Sequence, residues 1–163
     1  MAGIVRRIAN GGRTPTDIAD ITYEIVIVGA GSAGIAVASS LLARKADLDI
    51  AIIDPADVHY YQPGWTLVGA GVFDPAQTVR TVSSVLPQGV AWIKAAVTAF
   101  EPKDDAVILE GCRVVKYKRL IVCPGLKLDW HKVDGLVETL GRNGVTSNYR
   151  YDLAPRPGSC CAG

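Results

Sequence analysis

No apolar run in this 163-residue chain approaches the ~20 residues that a helix needs to cross a bilayer, although 49% of the residues are apolar. A membrane-spanning helix is therefore not expected. Clustered charge is missing too: 17 basic and 16 acidic residues leave a formal net charge of +1, and no Lys/Arg block forms the basic patch that nucleic acids require. Nucleic acid is not an expected partner. Cysteine is sparse and badly spaced for metal. Cys112, Cys123, Cys160 and Cys161 form no C-x-x-C pair and have no histidine at ligand spacing, so neither a zinc site nor a secreted disulfide framework is expected. A reducing compartment fits that usage better. Residues 1–20, "MAGIVRRIANGGRTPTDIAD", lack the continuous apolar stretch and small-residue cleavage site of a secretory signal, and Asp17 and Asp20 disfavour a mitochondrial one. Residues 1–22 read as a flexible leader. Internal repeats and low-complexity tracts are absent from the sequence.

What is present is a unit that runs from Ile25 to Pro55, "IVIVGAGSAGIAVASSLLARKADLDIAIIDP". Residues 24–28 read as a strand, and after Glu24 all are apolar and β-branched, as a parallel strand covered on both faces should be. A helix is predicted from Ser32 to about Lys45, with Ile35, Ala38, Leu41 and Leu42 near the helical period, and a second strand over residues 48–53. Strand, helix and strand in that order imply a right-handed crossover, the start of a doubly wound α/β fold. At the first turn Gly29, Gly31 and Gly34 make G-x-G-x-x-G. These glycines serve a tight turn, close backbone approach to a pyrophosphate, and close packing of helix on strand. The helix start at Ser32 aims free N–H groups at phosphates. Asp54 stands where an acid accepts hydrogen bonds from a ribose 2′-hydroxyl, which disfavours the 2′-phosphate of NADP. FAD and NAD share the ADP half, so these residues by themselves leave both open.

After Asp54 the chain mixes Pro, Gly and aromatics, a texture suited to ligand-facing loops, with one short helix predicted at residues 78–86. Strands over residues 90–100, 106–109 and 113–117 read as an antiparallel meander, followed by a buried strand at 119–122 that ends in Cys123-Pro124-Gly125. Residues 126–151 read as loop. His59 reads as structural, Trp65 as a packing anchor, Lys94 as a solvated strand residue, and His131 as a lone loop histidine. Cys123 reads as a small apolar residue closing its strand, with a thiol near a flavin as the alternative.

"IIDPADVHYYQPGWTLVGAGVFD", "GVAWIKAAVTAFEP", "LIVCPGLKLDW" and "NGVTSNYRYDLAP" together resemble the N-terminal part of sulfide:quinone oxidoreductases, over residues from about 23 to 155. The resemblance implies a Rossmann-like FAD-binding domain over residues 23–155, incomplete, followed by a non-family tail at 156–163. It implies FAD as cofactor, with Ser32 and Ala33 at the pyrophosphate, Asp54 at the adenosine ribose, Gln62 in the flavin region, Val97 at the adenine through its backbone, and Gly125 near the flavin. Cys123 and Pro124 stand where the family usually has Ala-Thr, and Asp54 replaces its common Glu. Sulfide and quinone are the implied partners of the full-length enzyme. Its implied place is peripheral on a bacterial cytoplasmic or mitochondrial inner membrane, held by C-terminal elements.

The family's redox cysteines have no counterpart in register. "CCAG" at residues 160–163 echoes its Lys-Cys-Ala-Gly stretch but comes early, so the chain is expected to be truncated or frameshifted near Pro155 and inactive by itself, with no catalytic residue assigned. A flavin-dependent NADH dehydrogenase, a flavocytochrome sulfide dehydrogenase subunit and a non-catalytic FAD-binding module are the alternatives.

Overall fold

The computed structural model describes Ile4–Val5 and residues 21–155. Ile4–Val5 forms β1, Thr22–Val28 β2, Ser32–Arg44 α1 and Ile50–Ile53 β3. The chain continues through β4 (Val58–Tyr60), α2 (Trp65–Gly69), β5 (Val79–Thr81), α3 (Val82–Val85), β6 (Ala91–Ile93) and β7 (Val97–Glu101). Then come β8 (Ala106–Leu109), β9 (Arg113–Val122) and α4 (Leu136–Thr139). A seven-stranded sheet runs in the order β1-β6-β3-β2-β9-β8-β7, while β4 and β5 make a separate two-stranded sheet. The centre of the large sheet is parallel, with β2 between β3 and β9.

The near-continuous apolar runs of β2 and β3 follow from burial on both faces. Ile25 and Ile27 of β2, with Ile50 and Ile52 of β3, pack with Ala38, Val37, Leu41 and Leu42 of α1 and with Val82 and Trp92. The intervening residues Val26, Val28, Ala51 and Ile53 pack instead with Val107, Leu109, Val115 and Tyr117. Successive side chains of a strand point to opposite faces, so one strand serves two cores. The pairing Ile25↔Ile50 through Val28↔Ile53 keeps like faces together.

Three expectations from the sequence are corrected. Residues 90–100 are not one meander strand: β6 joins the parallel sheet beside β3, and only β7 enters the antiparallel arm with β8. The break has a local cause. Ala95 N–H bonds back to Ile93 C=O at 3.0 Å, and Lys94 turns out to an ion pair with Asp57 at 2.5 Å. Second, residues 113–117 and 119–122 are one strand, β9, which pairs antiparallel with β8 over its first half and parallel with β2 up to Val122. Its charged Lys116, Lys118 and Arg119 are exposed and do not interrupt the ladder. Third, the helix predicted at 78–86 shrinks to α3, because the β-branched Thr78, Val79 and Thr81 before it take a 3-10 end and a short strand, and Pro87 follows it closely.

The chain divides into two compact units, Met1–His59 with Thr81–Gly125, and Tyr60–Arg80 with Leu126–Gly163. The first holds the large sheet and α1. In the second, Trp65, Val68 and Ala154 are buried together, and Tyr60 meets Trp65 edge to face at a centroid distance of 5.8 Å. Trp65 is thus a packing anchor, and residues 126–151 contain α4 and a 3-10 turn at Trp130–Lys132. Within the stretch read as a leader, β1 pairs antiparallel with β6. Residues 1–3 and 6–20 of that stretch, and the 156–163 tail with Cys160 and Cys161, lie outside the described residues, while Thr22 at its end already belongs to β2.

Tyr23 of β2 packs against the second core, and burial, reinforced by the charge of Asp49, raises its phenol pKa. A raised folded-state pKa means that the folded chain holds the proton after the unfolded chain has lost it. The stabilisation is complete below the unfolded value of about 10 and is lost as pH rises through the folded value. Urea midpoints measured across the alkaline range are expected to fall above pH ~10 for the wild type and to fall less steeply for Tyr23→Phe.

Candidate dinucleotide-binding site

The turn after β2 is shaped by two close backbone approaches. Gly29 has φ +103°, a conformation that L side chains rarely adopt, and a Cβ there would lie 2.1 Å from the carbonyl oxygen of Cys123. The ends of the neighbouring strands hold it: Gly29 N–H donates to Ile53 C=O at 2.8 Å, and Cys123 N–H donates to Val28 C=O at 2.7 Å. In the first turn of α1, a Cβ at Gly34 would lie 2.0 Å from the carbonyl oxygen of Gly29. Only hydrogen at both positions lets α1 rest directly on the turn.

Gly31 is the opposite case. It is the N-cap of α1, and a Cβ built on it meets nothing within 4 Å. No side chain caps the helix and its first turn holds no acid, so the leading N–H groups have no competitor for an incoming anion. Ser32 and Ala33, next in line, are exposed. Open space, free donors and the positive end of a 13-residue helix suit a pyrophosphate.

Asp54 closes β3 beside this turn. Its Oδ2 accepts from Ala30 N–H at 2.7 Å, its Oδ1 from Ala56 N–H at 2.8 Å, and its main-chain carbonyl from Trp92 Nε1–H at 3.1 Å. The carboxylate therefore grips the glycine turn itself. Each oxygen keeps a lone pair, and the half-buried side chain still faces solvent in part, so a ribose hydroxyl can also be received.

The remaining residues named from the sequence fall in different places. Gly125, exposed with φ +79°, lies just beyond β9, whose end at Cys123 touches the turn. Val97 opens β7 at the far edge of the sheet, with β8 and β9 between it and β2, and packs against the core cluster that includes Val28 and Ile53. Gln62 is half-buried at the start of a 3-10 turn, Gln62–Gly64, in the second unit. Cys123 is half-buried and Cys112 exposed, both as free thiols. No cluster of His, Cys, Asp and Glu suited to a metal ion occurs among the described residues. Sequence reasoning missed Ala30 and Trp92, and nothing in their identity or spacing marks them.

Residues 23–160 match the family described as pyridine nucleotide-disulphide oxidoreductase. The mitochondrial sulfide:quinone oxidoreductase of Dictyostelium discoideum is 45% identical over 130 residues, 79% of this chain, and that of Mus musculus is 36% identical over 127 residues, 78% of it. The chain spans 29% and 28% of the lengths of those two relatives. In fold it is similar to the sulfide:quinone oxidoreductase of Aquifex aeolicus, with a TM-score of 0.66 at 20% identity, over 80% of this chain and 29% of that one. The parallel sheet, the glycine turn, α1 and Asp54 all lie inside the matched segment, and the chain belongs to the pyridine nucleotide-disulphide oxidoreductase family.

Proposed function

We propose that this chain supplies the FAD-binding N-terminal portion of a sulfide:quinone oxidoreductase, an enzyme that oxidises sulfide to sulfane sulfur and passes the electrons to quinone. Membership of the family implies a flavin cofactor. The observation that carries the FAD reading is the open face of Gly31 at an uncapped helix start beside Asp54, which suits the ADP half that FAD has and FMN lacks. The similarity to the two mitochondrial sulfide:quinone oxidoreductases supports the reading of sulfide and quinone as substrates of the full-length enzyme.

When bound, the flavin supplies the two-electron carrier of the reaction. The chain's own residues bind and orient it. Gly31, Ser32 and Ala33 offer backbone donors to the pyrophosphate, Asp54 accepts from the adenosine ribose, and Gly125 keeps the strand end free of a side chain. Gln62 and Val97 are further contacts, one toward the flavin and one toward the adenine. Residues 23–155 form the FAD-binding part in this proposal. Sulfide chemistry takes a thiolate and a partner cysteine to hold the persulfide, and no cysteine of this chain stands in register with the family's redox pair, so this chain is not expected to turn over sulfide unaided. Among the described residues no helix is long and apolar enough to cross a membrane. Peripheral membrane contact is assigned to other parts of the full-length enzyme as part of this proposal.

Titration of the purified chain by flavin fluorescence tests the assignment. FAD is expected to bind, ADP to compete, and FMN and a 2′-phosphorylated ADP to do so at least about tenfold more weakly. Equal binding of FMN, or none of FAD, overturns it. Anaerobic sulfide is expected to leave the flavin absorption of the FAD-loaded chain unbleached. Bleaching by NADH in its place supports the NADH dehydrogenase alternative.

A further inference from the structure

We propose that His59 is a positioning residue for the glycine turn, acting with Asp54 to hold the Ala30 residue from both sides. The proposal rests on the dinucleotide reading of the site. Ala30 is the middle residue of Gly29-Ala30-Gly31 and is buried, with 3% of its surface exposed. Its N–H donates to Asp54 Oδ2 at 2.7 Å, and its C=O lies 3.4 Å from Nδ1 of His59, which is half-buried in β4. A carbonyl oxygen only accepts, so this contact requires the proton on Nδ1. The carbonyl of Ala30 and the N–H of Gly31 belong to one planar peptide group and point in opposite directions. A hydrogen bond to the carbonyl therefore sets the direction of the Gly31 N–H, the donor beside the open face.

Both gripping side chains come from one short segment, residues 54–59, which is itself tied down. Trp92 Nε1–H bonds to the Asp54 carbonyl, Val82 N–H bonds to the Asp57 carbonyl at 2.8 Å, and Lys94 pairs with the Asp57 carboxylate at 2.5 Å. A segment held at three points can fix the orientation of a peptide in the neighbouring turn. This assigns His59 a role beyond steadying the loop before Tyr60 and Tyr61.

The test compares His59→Leu, which cannot donate, with His59→Asn, whose amide N–H stands near the position of Nδ1, and with His59→Gln, whose amide sits one methylene farther out. FAD and ADP dissociation constants, hydrogen exchange of residues 29–34 in the ligand-free full chain, and urea midpoints are measured for each. His59→Leu is expected to bind FAD and ADP about tenfold more weakly and to exchange faster at the turn, with His59→Asn restoring both and His59→Gln neither. A role confined to stability would lower the urea midpoint without this pattern of rescue. Wild-type binding and exchange in His59→Leu, or a His59→Asn variant no better than His59→Leu, overturns the proposal. If the wild-type chain binds neither FAD nor ADP, the dinucleotide reading fails. Exchange at the turn then decides the positioning role alone: unchanged exchange in His59→Leu overturns it, and faster exchange that His59→Asn reverses sustains it.

Discussion

Gly34→Ala is expected to prevent the native packing of α1 on its turn, whereas Gly31→Ala is expected to leave the fold in place and abolish FAD binding. Both substitutions add a single methyl group. At position 34 the new carbon would lie 2.0 Å from the Gly29 carbonyl oxygen and 3.2 Å from its carbonyl carbon. Those are backbone atoms held between the ends of β3 and β9, so they cannot swing aside as a flexible side chain would. Relief requires α1 to lift, and α1 carries Ala38, Val37, Leu41 and Leu42 into the core with Ile27 and Ile52. Losing that contact should cost more than about 4 kcal/mol, a large part of a typical domain's stability. At position 31 the methyl meets nothing, φ is −75°, and exchanging one N-cap residue for another should cost under about 1 kcal/mol. It does occupy the space a pyrophosphate would enter. Thermal or urea unfolding, run beside FAD titration, separates the two cases. Gly31→Ala with wild-type FAD affinity would show that no phosphate approaches there.

Asp54→Asn is expected to weaken both the fold and FAD binding, although it is nearly isosteric. The carboxylate uses one oxygen for Ala30 N–H and the other for Ala56 N–H. An amide has a single acceptor, so either orientation sets its NH2 group against a backbone N–H. The displaced donor loses a charge-assisted hydrogen bond, for which about 1–3 kcal/mol is typical, and half-burial places this site toward the lower end. The ribose would lose an anionic acceptor at the same time. A urea midpoint shift equivalent to about 1 kcal/mol, with an FAD dissociation constant raised by at least about tenfold, is the expected pair of results. An unchanged midpoint would mean that the carboxylate does not hold the turn in solution, and an unchanged affinity that it does not meet the ribose.

Much of the fold was readable because its signals are local. β2, α1 and β3 announce themselves through β-branched runs and helical spacing, and their observed limits lie within two residues of those expected. The three glycines stood out because a tight turn and a close approach leave few other choices of residue. By contrast, neighbouring residues carry no mark of which strand they will pair with. "WIKAAV" reads as one extended run, yet the Ala95-to-Ile93 hydrogen bond divides it between a parallel sheet and an antiparallel arm. Lys118 falls between the two strands expected at 113–117 and 119–122, yet it lies in one strand long enough to serve two partners. Gln62, Val97 and Gly125 entered through resemblance to a family, since no periodicity or spacing of their own singles them out.

The sequence by itself determined the crossover unit, the glycine turn and the acid at the end of β3, because hard-sphere limits on the backbone and the burial of apolar runs act within a few residues. Only the tertiary structure decided that Cys123 would close over Gly29, and that Ala30 would be held between Asp54 and His59. Those contacts join residues 24 to 94 positions apart, and their formation depends on sheet order and register, which arise when the whole core packs.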